Sequence, residues 1–185
     1  MAKKKVTVDS EAMDNRPPSG GIIIDSIKVL NGEEGAKRHI IKYQDGGDKK
    51  TLDSPDEAAD SFYKTFASLG DDAIKILELP DEYNFDITVK SLNMKYDGSA
   101  LNMKAQIGIM KDLSNTNGHC LLTTPFKHVG APTTSQTDGE KEKDSNTAGY
   151  TVHTTAAARR IKSMIDHAVN YLDGKRAAMT LEEQE

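Results

Sequence analysis

The chain has 185 residues, of which 36% are hydrophobic and 29% are charged, and its formal net charge is −5. This length suits one domain of ordinary size, and no apolar run approaches the roughly 18 residues that would predict a membrane span. The N-terminal region has lysines but no apolar stretch of the kind found in secretory signals, and the one cysteine, Cys120, excludes an internal disulfide framework. We therefore expect a cytoplasmic protein.

The first 50 residues predict an arm followed by a hairpin. Residues 1–20 hold a lysine triplet and few apolar residues, which is typical of a disordered arm. A β-branched run from Ile22 to Leu30 predicts a strand, and Arg38–Tyr43 predicts a second strand beside it. The glycines here match neither GxxxxGKS/T nor GxGxxG, so we interpret them as turns and not as phosphate-binding loops.

The first helix is predicted from Ser54-Pro55-Asp56-Glu57, because this order of residues forms a capping box with proline at the first helical position. Apolar residues then recur at helical spacing as far as Phe66, and Gly70 is expected to end the helix before a short second one over Asp71–Leu77. Residues 54–82 contain eight acids and two lysines. We interpret the paired acids as solvated helix ends rather than as a metal or acid–base site.

A three-stranded antiparallel meander is predicted over Asp86–His128. Apolar residues alternate with polar ones up to Val89, but Leu92, Met94 and Tyr96 fall on the opposite parity. Either a bulge near Lys90–Leu92 restores one apolar face, or both faces are covered. Hairpin turns and a proline divide the rest into two further strands, Leu101–Met110 and Cys120–Thr124.

Together these elements predict an α+β domain with a mainly antiparallel five-stranded sheet, in the order β-β-α-β-β-β-α, and two main helices on one face. The domain is expected to combine residues 21–128 with a C-terminal helix over 150–175. Residues 129–149 should form a mobile loop, either a plain linker or a strap that binds a partner, and 176–185 an acidic tail. The C-terminal helix has a narrow apolar seam that packs either on the first helix or on its own copy in a homodimer. Its members are Ile161, Ile165, Ala168 and Leu172.

The meander is the one basic part of an acidic chain. From Lys90 to His128 the net charge is +3, whereas the remainder of the chain sums to −8. Lysines and amides in a row can follow a phosphate backbone, and an aromatic ring beside them can stack on a base. The alternative is a solvated sheet face whose lysines protect an edge. The candidate binding residues are Lys95, Tyr96, Asn102, Lys104, Gln106, Lys111 and Lys127.

Catalytic and metal signatures are weak throughout. His119, Cys120 and His128 form the one cluster of interest, and a zinc site would need a fourth, better-spaced ligand. The sequence has no GxSxG motif, and Cys120 is expected to be inert within an apolar strand. We therefore expect no enzyme activity, no metal and no cofactor.

The meander, which ends in Thr124-Pro125-Phe126-Lys127, resembles small uncharacterised proteins encoded by tailed bacteriophages. The resemblance covers about a quarter of the chain and brings no catalytic motif with it. It implies a phage-encoded cytoplasmic accessory protein, acting in phage DNA metabolism or against host defences. Two hypotheses follow. One is a non-enzymatic protein that binds a host protein or a small anionic ligand through its sheet and long loop. The other is a single-stranded nucleic-acid-binding protein of a replication or recombination module.

Overall fold

The computed structural model describes residues 21–31, 36–80, 87–96, 103–113, 118–130 and 152–175. Within them the chain is α+β, as the sequence predicts, with an antiparallel sheet and two helices. The predicted arm 1–20, most of the predicted loop 129–149, and the tail 176–185 lie outside the described residues. The elements are β1 (Ile22–Asn31), β2 (Lys37–Asp45), β3 (Asp48–Ser54), α1 (Asp60–Ile76), β4 (Ile87–Tyr96), β5 (Met103–Leu113), β6 (Gly118–Thr123), β7 (Lys127–His128) and α2 (Thr155–Leu172).

The sheet has seven strands in the described residues, two more than the sequence predicts. Its order is β3-β2-β1-β4-β5-β6, and the short β7 pairs with β5 beyond the end of β6. Strand β3 is not among the predicted strands, because this edge strand is mostly polar, with Leu52 as its one apolar member, and shows little alternation. Gly46 and Gly47, with φ of 59° and 95°, form the two-residue turn that joins β2 to β3.

Helix α1 begins later and ends later than predicted. Ser54 is the last residue of β3, and its hydroxyl accepts a hydrogen bond from the Asp56 N–H, so that the predicted capping box is not formed. The helix then starts at Asp60 and runs through Gly70 without a break to Ile76. A Cβ at Gly70 would lie 3.5 Å from a methyl group of Val89, so this glycine sits where the helix packs closely on β4. Packing against the sheet offsets the roughly 1 kcal/mol that glycine costs inside a helix.

The change of parity in β4 is a bulge, the first of the two alternatives that the sequence leaves open. The register against β5 shifts between Val89 and Ser91, which leaves Lys90 as the extra residue. Val89, Leu92 and Met94 are consequently all buried on one face. A second register shift occurs in β1 between Ile24 and Ser26, around Asp25. This second bulge shapes the candidate site.

Both helices pack on the same face of the sheet, as predicted, and the core lies between them and the strands. Three members of the predicted seam, Ile161, Ile165 and Ala168, are buried in the chain's own core, and Leu172 is half-buried. The seam is therefore occupied within the chain, in agreement with the first of its two alternatives. The Arg160 guanidinium also joins α2 to α1, with nitrogen–oxygen distances of 3.0 and 3.3 Å to the carboxylate of Asp72.

Two buried histidines tie the helical layer to the sheet. His39 of β2 is fully buried, and its ring nitrogens lie 3.0 Å from the Tyr63 hydroxyl and 3.4 Å from the Tyr171 hydroxyl. His153, just before α2, has Nε2 3.1 Å from the carbonyl oxygen of Ala105. Burial lowers the pKa of both histidines, so both are neutral at pH 7. In the described part of the chain, neither helix has the length and apolar character needed to cross a membrane.

Candidate anion-binding face

The face of the sheet opposite the helices, here called the outer face, carries polar side chains in register across the strands. Because alternate residues of a strand point to opposite sides, the partners of an outer-face residue on neighbouring strands also belong to that face. One row crosses five strands. It consists of Thr51, Lys42, Ser26, Asn93 and Gln106.

Lysines from five strands project from the outer face. Four are exposed and Lys104 is half-buried; the set is Lys28, Lys42, Lys49, Lys95 and Lys104. Two nearby acids already have partners: Asp53 forms an ion pair with Arg38, and Asp25 accepts a hydrogen bond from the neutral Gln44 amide at 2.9 Å. By contrast, the described residues 54–80, which include α1 on the helical side, hold six acids and two lysines. The segment that includes α1 is therefore acidic, in contrast to the outer face.

A cleft of about 430 Å³ opens on this face where β1 and β4 part. Direct pairing of these strands covers only Ser26–Lys28 with Ser91–Asn93, because the bulge at Asp25 turns β1 away. The cleft thus exposes side chains of β1 and β4 that would lie side by side if the two strands were hydrogen-bonded along their whole length. Three lysines and one acid line it, among Asp25, Gln44, Lys49, Met94, Lys95, Tyr96 and Lys104.

An aromatic ring lies beside the cleft. The ammonium of Lys95 sits 4.2 Å from the centre of the Phe126 ring, within the range of a cation–π contact. Phe126 is half-buried and immediately precedes β7, whose His128 pairs with Lys104. Lys95 and Lys104 are directly opposite each other in the register of β4 and β5. This lysine pair therefore lies next to the partly exposed ring of Phe126.

The structure brings together three of the seven candidate residues on the outer face: Lys95, Lys104 and Gln106. Tyr96 lines the cleft, but it belongs to the parity of Met94 and its hydroxyl donates a hydrogen bond to the carbonyl oxygen of Ile24 at 2.7 Å. Burial raises the pKa of this phenol. The ring is thus held against the core and does not stand on the outer face beside the lysines, and its use as a stacking platform stays a prediction.

The other candidate residues do not join this group. Lys111 has the parity of the buried Ile109 and is seven residues from Lys104 along β5, about 24 Å at 3.4 Å per residue. Lys127 pairs with Ala105 and is only 8% exposed, so it is not part of the surface that the sequence predicts. Asn102 lies outside the described residues. The conclusion is that the predicted row of basic residues divides between the two sides of the sheet.

The lysines that complete the outer face come from the first hairpin and its edge strand, and they are not among the predicted binding residues. Lys28 and Lys42 each alternate with buried isoleucines, which places them on the polar side of their strands. That alternation is visible in the sequence. What it does not show is that β1 lies beside β4, which unites these lysines with Lys95 and Lys104.

The histidine–cysteine cluster is not assembled. His119 is opposite Asp112 and His128 is opposite Lys104, so the two histidines lie toward opposite ends of β5. Cys120 lies within β6, as predicted, but it is exposed, and the expectation that its thiol is inert stays a prediction. Over the described ranges, no group of three His, Cys, Asp or Glu side chains is placed to hold a metal ion.

Comparison with known proteins finds no matching family model, no matching curated protein and no matching solved structure. What the chain does must therefore be inferred from the outer face itself.

Proposed function

We propose that this is a non-enzymatic binding protein that holds an anionic ligand on the outer face of its sheet, centred on the cleft between β1 and β4. The observation that carries the proposal is the placement of lysines from five strands on one face that the described residues leave uncovered, with three of these lysines around the cleft. Like charges gathered without equal numbers of acids repel one another and are relieved by a bound anion. The setting proposed from the sequence is a phage accessory role in the host cytoplasm, and a host-protein partner stays a prediction.

The cleft favours phosphate-like groups over an apolar ligand. Lys49 and Lys95 are exposed on either side of it, and the Gln44 amide, which already donates to Asp25, adds a polar wall. Lysine acts toward phosphate as a compact positive charge with three donors. A ligand bearing two or three adjacent anionic groups would contact the lysines of both walls at once.

The test uses inorganic tripolyphosphate as the probe and the full chain. Isothermal titration at low salt should show saturable binding that Lys49→Gln/Lys95→Gln weakens at least about tenfold, since each removed charge loses a direct contact. The matched control is Lys64→Gln/Lys75→Gln, which removes the same charge from exposed positions of α1. Equal weakening by both variants would show a general charge effect and would refute the site. Turnover of a nucleotide or nucleic acid that one side-chain change abolishes would refute the non-enzymatic part.

A further inference from the structure

We infer that the ligand of the outer face is a single-stranded nucleic acid that crosses the strands from β3 toward β5 and β7. This inference rests on the proposed function and names the ligand class. The basic surface extends beyond the cleft, because Lys28 and Lys42 are not among the residues that line it. The strands that carry the outermost lysines, β3 with Lys49 and β5 with Lys104, are four strand spacings apart, about 19 Å at about 4.8 Å each. That span matches about six phosphates of a stacked strand at about 3.4 Å per nucleotide.

The lysines also lie in more than one row. Lys95 and Lys104 share a row at the cleft, Lys42 belongs to the next row, and Lys28 to the one after it. Adjacent rows on one face are two residues apart, about 7 Å. A ligand confined to the cleft would leave Lys28 and Lys42 unused, whereas a chain of phosphates lying obliquely across the sheet can reach all of these rows.

Hydrogen-bonding side chains lie between the lysines. Asn93 and Gln106 are partners in the register of β4 and β5, and the Asn93 amide donates to the Gln106 amide oxygen at a long 3.4 Å. Each amide retains a further donor or acceptor for another group. Next to them Ser91 faces Gly108, where an added Cβ would lie 2.3 Å from the Ser91 hydroxyl. Because Gly108 has no side chain, no bulky group projects from the outer face at this point. Amides beside it can meet the edges of unpaired bases.

Phe126 supplies the aromatic surface that Tyr96 does not. Its ring is half-buried and carries Lys95 at 4.2 Å. Any base can stack on a protein ring, and here the Lys95 ammonium, which lies over the ring, would move aside to the phosphate next to that base. The geometry therefore gives one stacking position at the β7 end and a charged track leading from it across the sheet.

A duplex fits this face less well. Sequence-specific proteins reach duplex bases by placing a helix or a β-ribbon in the major groove. Both helices of the described residues pack on the opposite side of the sheet. The amides of the outer face stand low between the lysines and would meet only the backbone of a duplex, in which base edges are paired.

The experiment is fluorescence anisotropy of the full chain with labelled oligothymidines of about three, six and twelve nucleotides, from about 50 to 300 mM salt. We expect clear binding from about six nucleotides upward. With five lysines in contact, the logarithm of the binding constant should fall with the logarithm of salt concentration with a slope of about −3.5. Lys42→Gln/Lys95→Gln should reduce this slope by about 1.4, and Phe126→Leu should weaken binding at least about fivefold with the slope unchanged. Lys64→Gln/Lys75→Gln should leave both quantities as they are.

The outcomes separate the two proposals. If tripolyphosphate binds at the cleft but the 12-mer neither binds at about 50 mM salt nor competes with it, the nucleic-acid inference is wrong and the anion site stands. If neither probe binds, both are wrong. A duplex of equal length that binds as tightly as the single strand would overturn the single-strand assignment. An unchanged salt slope for Lys42→Gln/Lys95→Gln would overturn the outer face as the site.

Discussion

Replacement of Arg160 by methionine tests how the two helices are held together. Arg160 of α2 donates two hydrogen bonds to the carboxylate of Asp72 on α1, at 3.0 and 3.3 Å. The side chain of Asp72 is only 5% exposed, whereas that of Arg160 is 33% exposed. Burial raises the pKa of the Asp72 carboxyl and the nearby Arg160 charge lowers it, so the guanidinium is the main group that opposes the cost of burying this charge.

Loss of Arg160 should therefore leave the buried Asp72 carboxylate without its counter-charge. Removing one partner of a fully buried pair costs about 3–5 kcal/mol, and the partial exposure of Arg160 reduces our expectation to about 2–3 kcal/mol. With a urea dependence of about 2 kcal/mol per molar, the midpoint of unfolding should fall by about 1–1.5 M at pH 7. The double variant Asp72→Leu/Arg160→Met should recover most of this loss, because an apolar pair needs no counter-charge.

Urea unfolding followed by circular dichroism at pH 7 and pH 5 checks the reasoning. Without Arg160 the folded-state pKa of Asp72 rises further above its unfolded value. A carboxyl with a raised folded pKa loses stability as pH rises through that pKa, so the deficit of the variant should be larger at pH 7 than at pH 5. Arg38→Met is the control, since its pair with Asp53 is solvent-exposed and should leave the midpoint unchanged. A deficit that is equal for both variants, or independent of pH, would refute the explanation.

Two further predictions concern the core. Because burial lowers the folded-state pKa of His39 and His153, the unfolded state binds protons more readily below its pKa of about 6.5, and thermal unfolding should occur at progressively lower temperature as the pH falls from 7 toward 5. A melting temperature that is constant over this range would contradict the neutral state of the buried histidines. Leu92→Ala should lower the free energy of unfolding by about 2–5 kcal/mol, whereas Leu121→Ala, at a residue that is 67% exposed, should change it little; equal losses in urea titrations would contradict the assigned burial of the two residues.

Most helices and strands of this protein can be predicted from its sequence. The β-branched run of β1, alternation along β4 and β5, and helical spacing in α1 and α2 depend only on which residues must leave water. The parity change in β4 follows from the same rule and indicates a bulge at Lys90 as one of two alternatives. The predicted ends of the helices and strands are less accurate than their positions. Ser54 has the chemistry of a helix cap, but in the fold its place is the end of β3 opposite His39, where pairing with β2 takes precedence over the local capping preference.

Only part of the candidate site can be predicted from the sequence, for a different reason. A residue's parity places it on one side of its own strand, but the identity of the neighbouring strand is decided by how the whole sheet packs under the helices. The sequence therefore indicated Lys95, Lys104 and Gln106 as a polar row, and grouped Tyr96 with them although the bulge turns that ring toward the core. Only the tertiary structure placed β1 beside β4, which added the lysines of the first hairpin and opened the cleft at Asp25. Burial acts residue by residue and can be predicted locally, whereas a binding surface is made of neighbours that are distant along the chain.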